Sequence, residues 1–239
     1  MKKELLDIES GEFVTTSVMK SITIDCTIFG FENGGLEVLL VKHAEGISKG
    51  KWGLPGGWIQ EKESIDAAAH RLLRELTGLE NIFLEQLKAF GEPNRFPLGR
   101  VITVGYYALI KREDYSIKAG FTASEAKWFK IKEVPPLIYD HSEILNYSFE
   151  NLQKKVRQAP IGFNLLPEKF TLLQLMQLYE EILGVEMDKP NFRRKFLRMK
   201  LLVDLNEKQK GVSHRAAKLY KFDDTTYKKL TEKGFSFEF

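Results

Sequence analysis

LPGGWIQEKESIDAAAHRLLRELTGL, residues 54–79, joins a glycine-rich loop to an amphipathic helix. The consecutive glycines of the loop leave backbone amides open to a ligand. From Glu63 to Thr77, apolar residues recur at helical spacing, and Gly78 is a typical helix end. The segment therefore predicts a loop that leads directly into one helix with a buried face.

Predicted β-strands surround this loop and helix. Ser21–Phe31 is rich in Ile, Thr and Phe, and an Asn-Gly turn separates it from Leu36–Lys42, which predicts a hairpin. Val101–Ile110 is too apolar for an exposed strand and is expected in the middle of a sheet. A further strand over Ala126–Ile131 and a helix over Ser142–Val156 complete the predicted elements of this half.

The composition is that of a globular protein of 239 residues, with 43% hydrophobic and 29% charged residues. This length favours two small domains. The single cysteine, Cys26, excludes a disulfide framework and a cysteine-rich zinc module. The opening MKKELLDIESGEF lacks the apolar segment of a signal peptide, and no stretch approaches the roughly 18 apolar residues of a membrane span. We therefore expect a cytoplasmic protein without a membrane partner.

Charge is distributed unevenly along the chain. Residues 1–159 hold 21 basic and 22 acidic side chains, whereas residues 160–239 hold 15 and 11. Within residues 188–221, 11 basic side chains stand against three acidic ones. Such an asymmetry indicates a polyanionic partner, with a solvated charged face as the alternative.

The sequence pattern changes around Gln158–Asn164, QAPIGFN. We place the boundary between two domains there, which gives a first domain over 1–158 and a second domain over 159–239.

The second domain has the element order of a winged helix. Thr171 begins a helix that ends at Gly184, a basic helix follows over Asn191–Lys200, and a charged loop joins strand-like runs at Leu201–Leu205 and Ala216–Phe222. In such modules the second helix enters the major groove and the wing touches phosphate or the minor groove. The candidate contacts with double-stranded DNA are polar and basic side chains, namely Thr171, Asn191, Arg193, Arg194, Lys195, Arg198, Lys208, Lys210, Ser213, His214 and Arg215.

Two other roles of the second domain are less favoured. A charged helical appendage that binds nothing or mediates dimerisation would explain the helix but not the basic wing beside it. RNA binding is disfavoured because the strands lack the exposed aromatic platform on which single-stranded bases stack.

Residues 57–79 resemble the Nudix box, which is Gly, five residues, Glu, seven residues, then Arg-Glu-U-x-Glu-Glu-x-Gly-U, with U a bulky aliphatic residue. Seven of the nine fixed positions match, namely Gly57, Glu63, Arg71, Leu73, Glu75, Gly78 and Leu79. The resemblance covers residues 20–150. It implies an α+β fold, in which a Nudix-type α/β/α sandwich with a mixed sheet precedes the winged helix-turn-helix domain.

Leu72 and Leu76 occupy the two positions that depart from this pattern. In Nudix hydrolases, glutamates at these positions and at that of Glu75 lie together on the helix and hold Mg²⁺, which polarises a diphosphate and helps to activate water. Here Glu75 alone remains, beside Arg74. We therefore expect no catalytic residues, no bound metal and no cofactor.

The degenerate box suits a pocket that binds a ligand without cleaving it. The candidate effector-binding residues are those of the loop and of the base of the helix, namely Trp52, Gly56, Gly57, Glu63, Arg71 and Glu75. The alternative is that the leucines extend the core, that Arg71 and Glu75 form a structural i,i+4 pair, and that the tryptophan side chains pack internally.

The second domain carries a further resemblance. LLPEKFTLLQLMQLYEEILG, DKPNFRRKF and RAAKLYKF, at residues 165–184, 188–196 and 215–222, are similar to the winged helix of the NrtR-like family of Nudix-related transcriptional regulators. This resemblance implies a dimeric bacterial repressor of transcription that binds operator DNA and responds to a small effector. An effector would alter the spacing of the two recognition helices, about 34 Å for half-sites one DNA turn apart, with residues 158–163 as the transmitting linker.

Within this family the chain most resembles the arabinose-responsive regulator of carbohydrate metabolism. That resemblance implies release from DNA by a sugar, L-arabinose. Two alternatives remain: a regulator of NAD metabolism that senses an ADP-ribose-type nucleotide, and an active Nudix pyrophosphohydrolase with an accessory DNA-binding domain.

Overall fold

The computed structural model describes residues 3–6 and 13–16, for the backbone alone, and residues 21–120, 122–211 and 216–239. The strands are β1 Lys3–Leu6, β2 Phe13–Thr16, β3 Ile22–Glu32, β4 Gly35–His43, β5 Trp52–Gly53, β6 Gly56–Trp58, β7 Glu85–Phe90, β8 Ile102–Leu109, β9 Ala123–Lys130, β10 Leu202–Lys208 and β11 Lys218–Phe222. The helices are α1 Ile65–Thr77, α2 His141–Gln158, α3 Leu172–Leu183, α4 Lys189–Met199 and α5 Asp224–Glu232. No helix within these ranges is long and apolar enough to cross a membrane.

A mixed sheet forms the centre of the first half. Its strand order is β5-β4-β3-β8-β7, with β9 paired to β4 and β6 paired to β3. β3 and β8 run parallel to each other, and both are buried because helices cover the two faces of the sheet. The glycine-rich loop and the residues just before it, KWGLPGGW at residues 51–58, contribute β5 and β6 where the sequence predicted a loop. Glycine makes this possible at β6, where Gly56 and Gly57 pair closely with Asp25 and Ile24.

α1 covers one face of the sheet. The Ser64 hydroxyl caps the helix by accepting the Ala67 N–H at 3.1 Å, and Gly78 ends it in the left-handed conformation with φ 75°. Leu72 and Leu73 belong to its buried face and pack in one cluster with β3 and β8. α2 lies on the opposite face, so that the sheet stands between two helices as the sequence predicts.

The second half forms a winged helix. α3 begins with a capping box between Thr171 and Gln174, and α4 begins with Asp188, whose side chain accepts the Asn191 N–H at 3.0 Å. β10 and β11 pair as an antiparallel hairpin, and Phe170 adds a bridge to β11 through two backbone hydrogen bonds to Tyr220, at 2.8 and 2.9 Å. Aromatic side chains fill the space beneath, including Phe163, Tyr179, Phe192, Phe196, Phe237 and Phe239.

The two halves share one hydrophobic core. Leu152 and Val156 of α2 are fully buried in a cluster that contains residues of β3 and β4 as well as of α3 and α4. Across the same junction, Lys132 pairs with Glu181 at 2.7 Å, and the Gln153 amide donates to the Ile182 carbonyl oxygen at 2.8 Å. The winged helix is therefore packed directly onto the sheet domain.

The segment expected to act as a linker is part of this core. Pro160–Leu165 forms a 3₁₀ helix, and Phe163 lies beneath the wing with its ring stacked 4.4 Å from that of Phe222. Pro160 and Leu165 are buried as well. The glycine and proline of QAPIGFN favour a loop. The segment is nevertheless ordered, because burial of its apolar side chains stabilises the junction.

Phe163→Ala should therefore destabilise both halves together. We expect a loss of about 3–5 kcal/mol, the usual cost of truncating a buried phenylalanine. The three tryptophans, at 52, 58 and 128, all lie in the first half. In urea titrations, the unfolding midpoints followed by tryptophan fluorescence and by far-UV circular dichroism should therefore shift by the same amount. Phe83→Ala, at a side chain that is 84% exposed, is the control; an unchanged fluorescence midpoint in Phe163→Ala would show that the halves unfold independently.

Candidate functional site

A cleft of about 630 Å³ opens at one end of the sheet. β3, β6, the 3₁₀ turn Gly46–Ser48 and the loop before β8 form its walls. This volume lies within the range of small-molecule sites. Three aromatic side chains stand in a row along it, with the Phe96 ring 6.1 Å from Trp58 and 5.0 Å from Tyr139. The cleft therefore offers flat apolar surface to a planar group.

A buried ion cluster forms the floor of the cleft. The Arg95 guanidinium donates two hydrogen bonds to Asp140, both at 2.7 Å, and one to Asp25 at 3.3 Å. Only 4% of the Arg95 side chain and 7% of the Asp25 side chain are exposed. Because Asp140 immediately precedes α2, the cluster ties the start of this helix to the loop between β7 and β8.

Two histidines lie beside this cluster. His141 Nδ1 accepts the Leu54 N–H at 2.9 Å, so that in the neutral ring Nε2 carries the proton, and Nε2 faces Asp25 Oδ1 at 3.5 Å. Burial lowers the pKa of His43, His141 lowers it further, and Asp25 opposes the change. His43 is therefore neutral at physiological pH. Its buried Nε2 has no hydrogen-bond partner in the described part of the chain.

Two of the six predicted effector-binding residues line the cleft. Gly56 lies so close to β3 that a Cβ atom there would collide with Asp25 Oδ1, and a Cβ on Gly57 would lie 2.8 Å from Leu72 Cδ2. Trp52 lies outside the cleft, half-buried with its ring 4.8 Å from that of Phe129. Because glycine has no Cβ, the loop backbone packs directly against Asp25 and α1.

The other three, Glu63, Arg71 and Glu75, bind one another beside the cleft. Arg71 donates to Glu63 at 2.6 and 2.8 Å, to Glu75 at 3.0 Å and to the Trp58 carbonyl oxygen at 3.0 Å. Hydrogen bonds from Arg71 and from the Gln60 N–H lower the pKa of Glu63 to about 2. This network holds the loop against α1 and positions Trp58.

The leucines of the degenerate box face inward. Leu72 is 7% exposed beneath Gly57, and Leu76 is 6% exposed against Val41 and Ala123. Within the described ranges, no group of three or more His, Cys, Asp or Glu is arranged to hold a metal ion. Two of the three positions that hold the metal in Nudix hydrolases, 72 and 76, therefore contribute to packing in this chain.

α4 presents a basic face to solvent. Phe192 and Phe196 point into the core, which leaves exposed the basic side chains Arg193, Arg194, Lys195 and Arg198. None of these four pairs with an acidic side chain among the described residues. Arg194 instead donates to the Asn191 side-chain oxygen, and Lys195 Nζ lies 4.5 Å from the centre of the Phe239 ring. The four charges are therefore available to a polyanion.

The structure places the remaining predicted DNA contacts differently. Lys208 and Lys210 are exposed on the hairpin, whereas Ser213, His214 and Arg215 lie outside the described residues. Thr171 is 2% exposed, and its hydroxyl is engaged in the capping box with Gln174. This placement argues against the direct DNA contact that the sequence suggested for Thr171.

Sequence patterns alone do not indicate the residues of the cleft floor. Asp25, Arg95 and the adjacent pair Asp140 and His141 are far apart along the chain, and only the fold brings them together. One signal was present, because Asp25 is a charged residue in the middle of the buried part of β3. An acidic residue inside a buried strand needs a partner, and that requirement points to a buried cation nearby.

Comparison with known families agrees with this architecture. The NUDIX domain family matches residues 19–149, more than half of the chain, and the NrtR DNA-binding winged helix domain family matches residues 162–222. The chain therefore belongs to the NrtR-like family, in which a Nudix domain precedes a winged helix. The fold predicted from the sequence is confirmed.

Three relatives bear on function. The ADPR responsive transcriptional repressor NtrR of Acinetobacter baylyi is 33% identical over 205 residues, which cover 84% of this chain and 81% of that protein. Shewanella oneidensis NrtR complexed with a 27mer DNA has a TM-score of 0.72 at 29% identity, with 90% and 97% of the chains covered. The NUDIX domain of the same protein complexed with ADP ribose has a TM-score of 0.53 at 30% identity, with 57% and 90% covered.

The relatives favour a different effector from the one expected from the sequence. From the sequence, L-arabinose and carbohydrate metabolism were expected, with an ADP-ribose-type nucleotide as the alternative. The relatives with stated ligands respond to or bind ADP-ribose, which favours that alternative.

Glu63→Gln should lower stability in a pH-dependent way. A carboxylate with a pKa of about 2 in the folded protein, against roughly 4.3 when unfolded, stabilises the fold above the unfolded value. This contribution is lost as the pH falls toward the folded value. The difference in melting temperature between the native chain and Glu63→Gln should therefore be largest near neutral pH and disappear near the folded pKa.

Glu80→Gln, at an exposed glutamate without an ion pair in the described ranges, is the matched control for this titration. A Glu63→Gln difference that stays constant across the titration would contradict the assigned ion pair.

Proposed function

We propose that the protein is an ADP-ribose-responsive transcriptional repressor that binds operator DNA as a homodimer. The observation that carries this proposal is the joint presence, on one continuous core, of an exposed basic helix α4 and a cleft of nucleotide size. The names of the relatives support both halves of the proposal.

DNA binding would use α4 and the hairpin. The guanidinium groups of Arg193, Arg194 and Arg198, which form no ion pair with the described residues, suit guanine edges and phosphates, and Lys208 and Lys210 suit phosphates. In a homodimer two such helices would read half-sites about 34 Å apart.

Effector binding would use the cleft. Trp58, Phe96 and Tyr139 offer faces and edges to an adenine ring. His141 lies in the cleft at the start of α2, and Val156 near its other end lies in the core of the winged helix. A ligand that shifts the start of α2 would thereby alter the position of α4, and a coupling of about 1–3 kcal/mol is sufficient for release.

Hydrolysis of the effector is not part of this proposal. Leu72 and Leu76 fill the core where carboxylates would be needed, and Glu75 is engaged by Arg71. Incubation with ADP-ribose and Mg²⁺ should therefore yield no AMP. Production of AMP that Glu75→Gln abolishes would instead identify an active pyrophosphohydrolase.

Arg194→Ala and Arg198→Ala should weaken DNA binding. Each substitution removes an exposed charge, and loss of one phosphate contact should reduce the salt dependence of log K by about 1. The measurement is fluorescence anisotropy at several salt concentrations, on a duplex selected from a random library with the native protein. Lys154→Ala, which removes an exposed charge from α2, is the control; equal behaviour of all three variants would refute the assigned DNA face.

ADP-ribose should release the selected duplex. We expect the dissociation constant for DNA to rise by about 5- to 150-fold at saturating ADP-ribose, and by reciprocity DNA should weaken ADP-ribose binding by the same factor. Anisotropy with added ADP-ribose and calorimetry with and without DNA measure the two factors. DNA affinity that is unaffected by ADP-ribose would contradict the proposed effector.

A further inference from the structure

An acidic side chain lies within the basic surface of the second half, where α4 contacts the hairpin of β10 and β11. Asp204, on β10, stands opposite Tyr220 of β11, and Tyr220 is buried beneath the hairpin. Paired residues point to the same face of a hairpin, so that Asp204 points toward the helices. β10 contacts α4 on this side. The Asp204 carboxylate therefore lies between the recognition helix and the hairpin.

Two hydrogen bonds fix the position of this carboxylate. Lys218 Nζ donates to Asp204 Oδ2 at 2.7 Å, and the Asn206 N–H donates to Asp204 Oδ1 at 2.9 Å. Asn206 adopts the left-handed conformation with φ 55°, and the register of the two strands shifts between Asp204 and Lys208. Such a bulge redirects the strand beyond it. Asp204 therefore holds both the Lys218 ammonium and the bulge that leads to the tip of the hairpin.

Two cations on different elements act on this carboxylate. The hydrogen bond from Lys218 is the main cause that lowers the pKa of Asp204, and the charge of Arg193 on α4 lowers it further. Asp204 raises the pKa of Lys218, and Arg193 opposes that rise. Arg193 and Lys218 are both exposed to solvent. Asp204 is therefore ionised at neutral pH and offsets part of the positive charge that the helix and the hairpin present.

A fixed carboxylate at this place affects DNA binding in two opposite ways. It repels the phosphates that Arg193 and Lys218 attract, and this repulsion acts on every duplex whatever its sequence. It also fixes the hairpin relative to α4, and such preorganisation lowers the cost of a complex that requires one defined placement. Only a duplex whose bases are read by α4 requires that placement. On a non-specific duplex, the repulsion acts alone.

We propose that Asp204 determines the specificity of DNA binding by weakening complexes that are held by phosphate contacts alone. It is a positioning residue, because it acts through Lys218 and Arg193 rather than by contact with a base. Specificity is a difference between two affinities, and repulsion directed at the wrong partner increases that difference. The inference rests on the DNA binding in the proposed function and is independent of the identity of the effector.

The test is fluorescence anisotropy of the full chain on two duplexes. One is the duplex selected with the native protein, and the other is a shuffled duplex of the same length and composition. Asp204→Asn removes the charge and retains an oxygen that can accept the Asn206 N–H, which preserves the bulge.

Asp204→Asn should bind the shuffled duplex more tightly than the native protein does. One additional phosphate contact corresponds to a gain of about three- to tenfold at moderate salt, and the slope of log K against log salt should steepen by up to about 1. The selected duplex also loses the benefit of the fixed hairpin and gains less. The ratio of the two affinities should therefore fall.

Matched variants separate this role from overall charge and from loss of the fold. Glu207→Gln removes one negative charge from the same strand, where Glu207 pairs with Lys169 at 2.8 Å, and it should leave the ratio near its native value. The double variant Asp204→Asn, Lys218→Gln removes the carboxylate together with its nearest cation, and its affinity for the shuffled duplex should return toward the native value. Circular dichroism reports whether each variant folds. Asp204→Ser, which also keeps an acceptor oxygen, replaces Asp204→Asn if that variant is unfolded.

The expected result differs in sign from that of a purely structural role, because a loosened hairpin would weaken binding of both duplexes. Weaker binding of both duplexes, or an unchanged ratio of the two affinities, would overturn the inference and leave the proposed function standing. An equal fall of the ratio in Glu207→Gln would also overturn it, because overall charge would then be the cause. A native protein that selects no duplex would overturn both the inference and the DNA binding on which it rests.

Discussion

α2 and the Pro160–Leu165 turn are buried in a core that is common to both halves. The relative placement of the two halves depends on this burial. Val156 and Phe163 are packed by residues from the winged helix, while Ile144 of the same helix α2 packs on the sheet. Movement of one half relative to the other would expose this apolar surface to water. Each chain therefore carries its cleft and its basic helix on one packed unit.

α2 also connects the two ends of that unit. Its 18 residues span about 27 Å. Asp140 and His141 at its start belong to the floor of the cleft, and Leu152 and Val156 lie in the common core. A change in the ion cluster around Arg95 would thus displace the start of a helix whose far end supports α3 and α4. In a homodimer, a small rotation of this unit would alter the spacing of the two recognition helices.

Helix positions and exposed faces that depend on local sequence patterns could be predicted. The apolar spacing and terminal Gly78 located α1, and the Phe192–Phe196 spacing located the basic face of α4. Two features depend on distant contacts and were missed. Arg95 meets Asp140 and Asp25 across 45 and 70 residues. Burial of the predicted linker is the second such feature, because the loop-like composition of residues 158–164 gave no indication of the core that contains Phe163.

We infer that the cleft and helix α4 belong to one cooperative unit. Hydrogen exchange, measured by mass spectrometry with and without saturating ADP-ribose, distinguishes one unit from two. A ligand that stabilises one unit raises protection of its slowest amides throughout. If the halves unfold together, we expect slower exchange in α2 and α3 as well as around residues 45–58 and 95–101. Protection confined to the segments that line the cleft, with α3 unchanged, would show that the halves unfold separately.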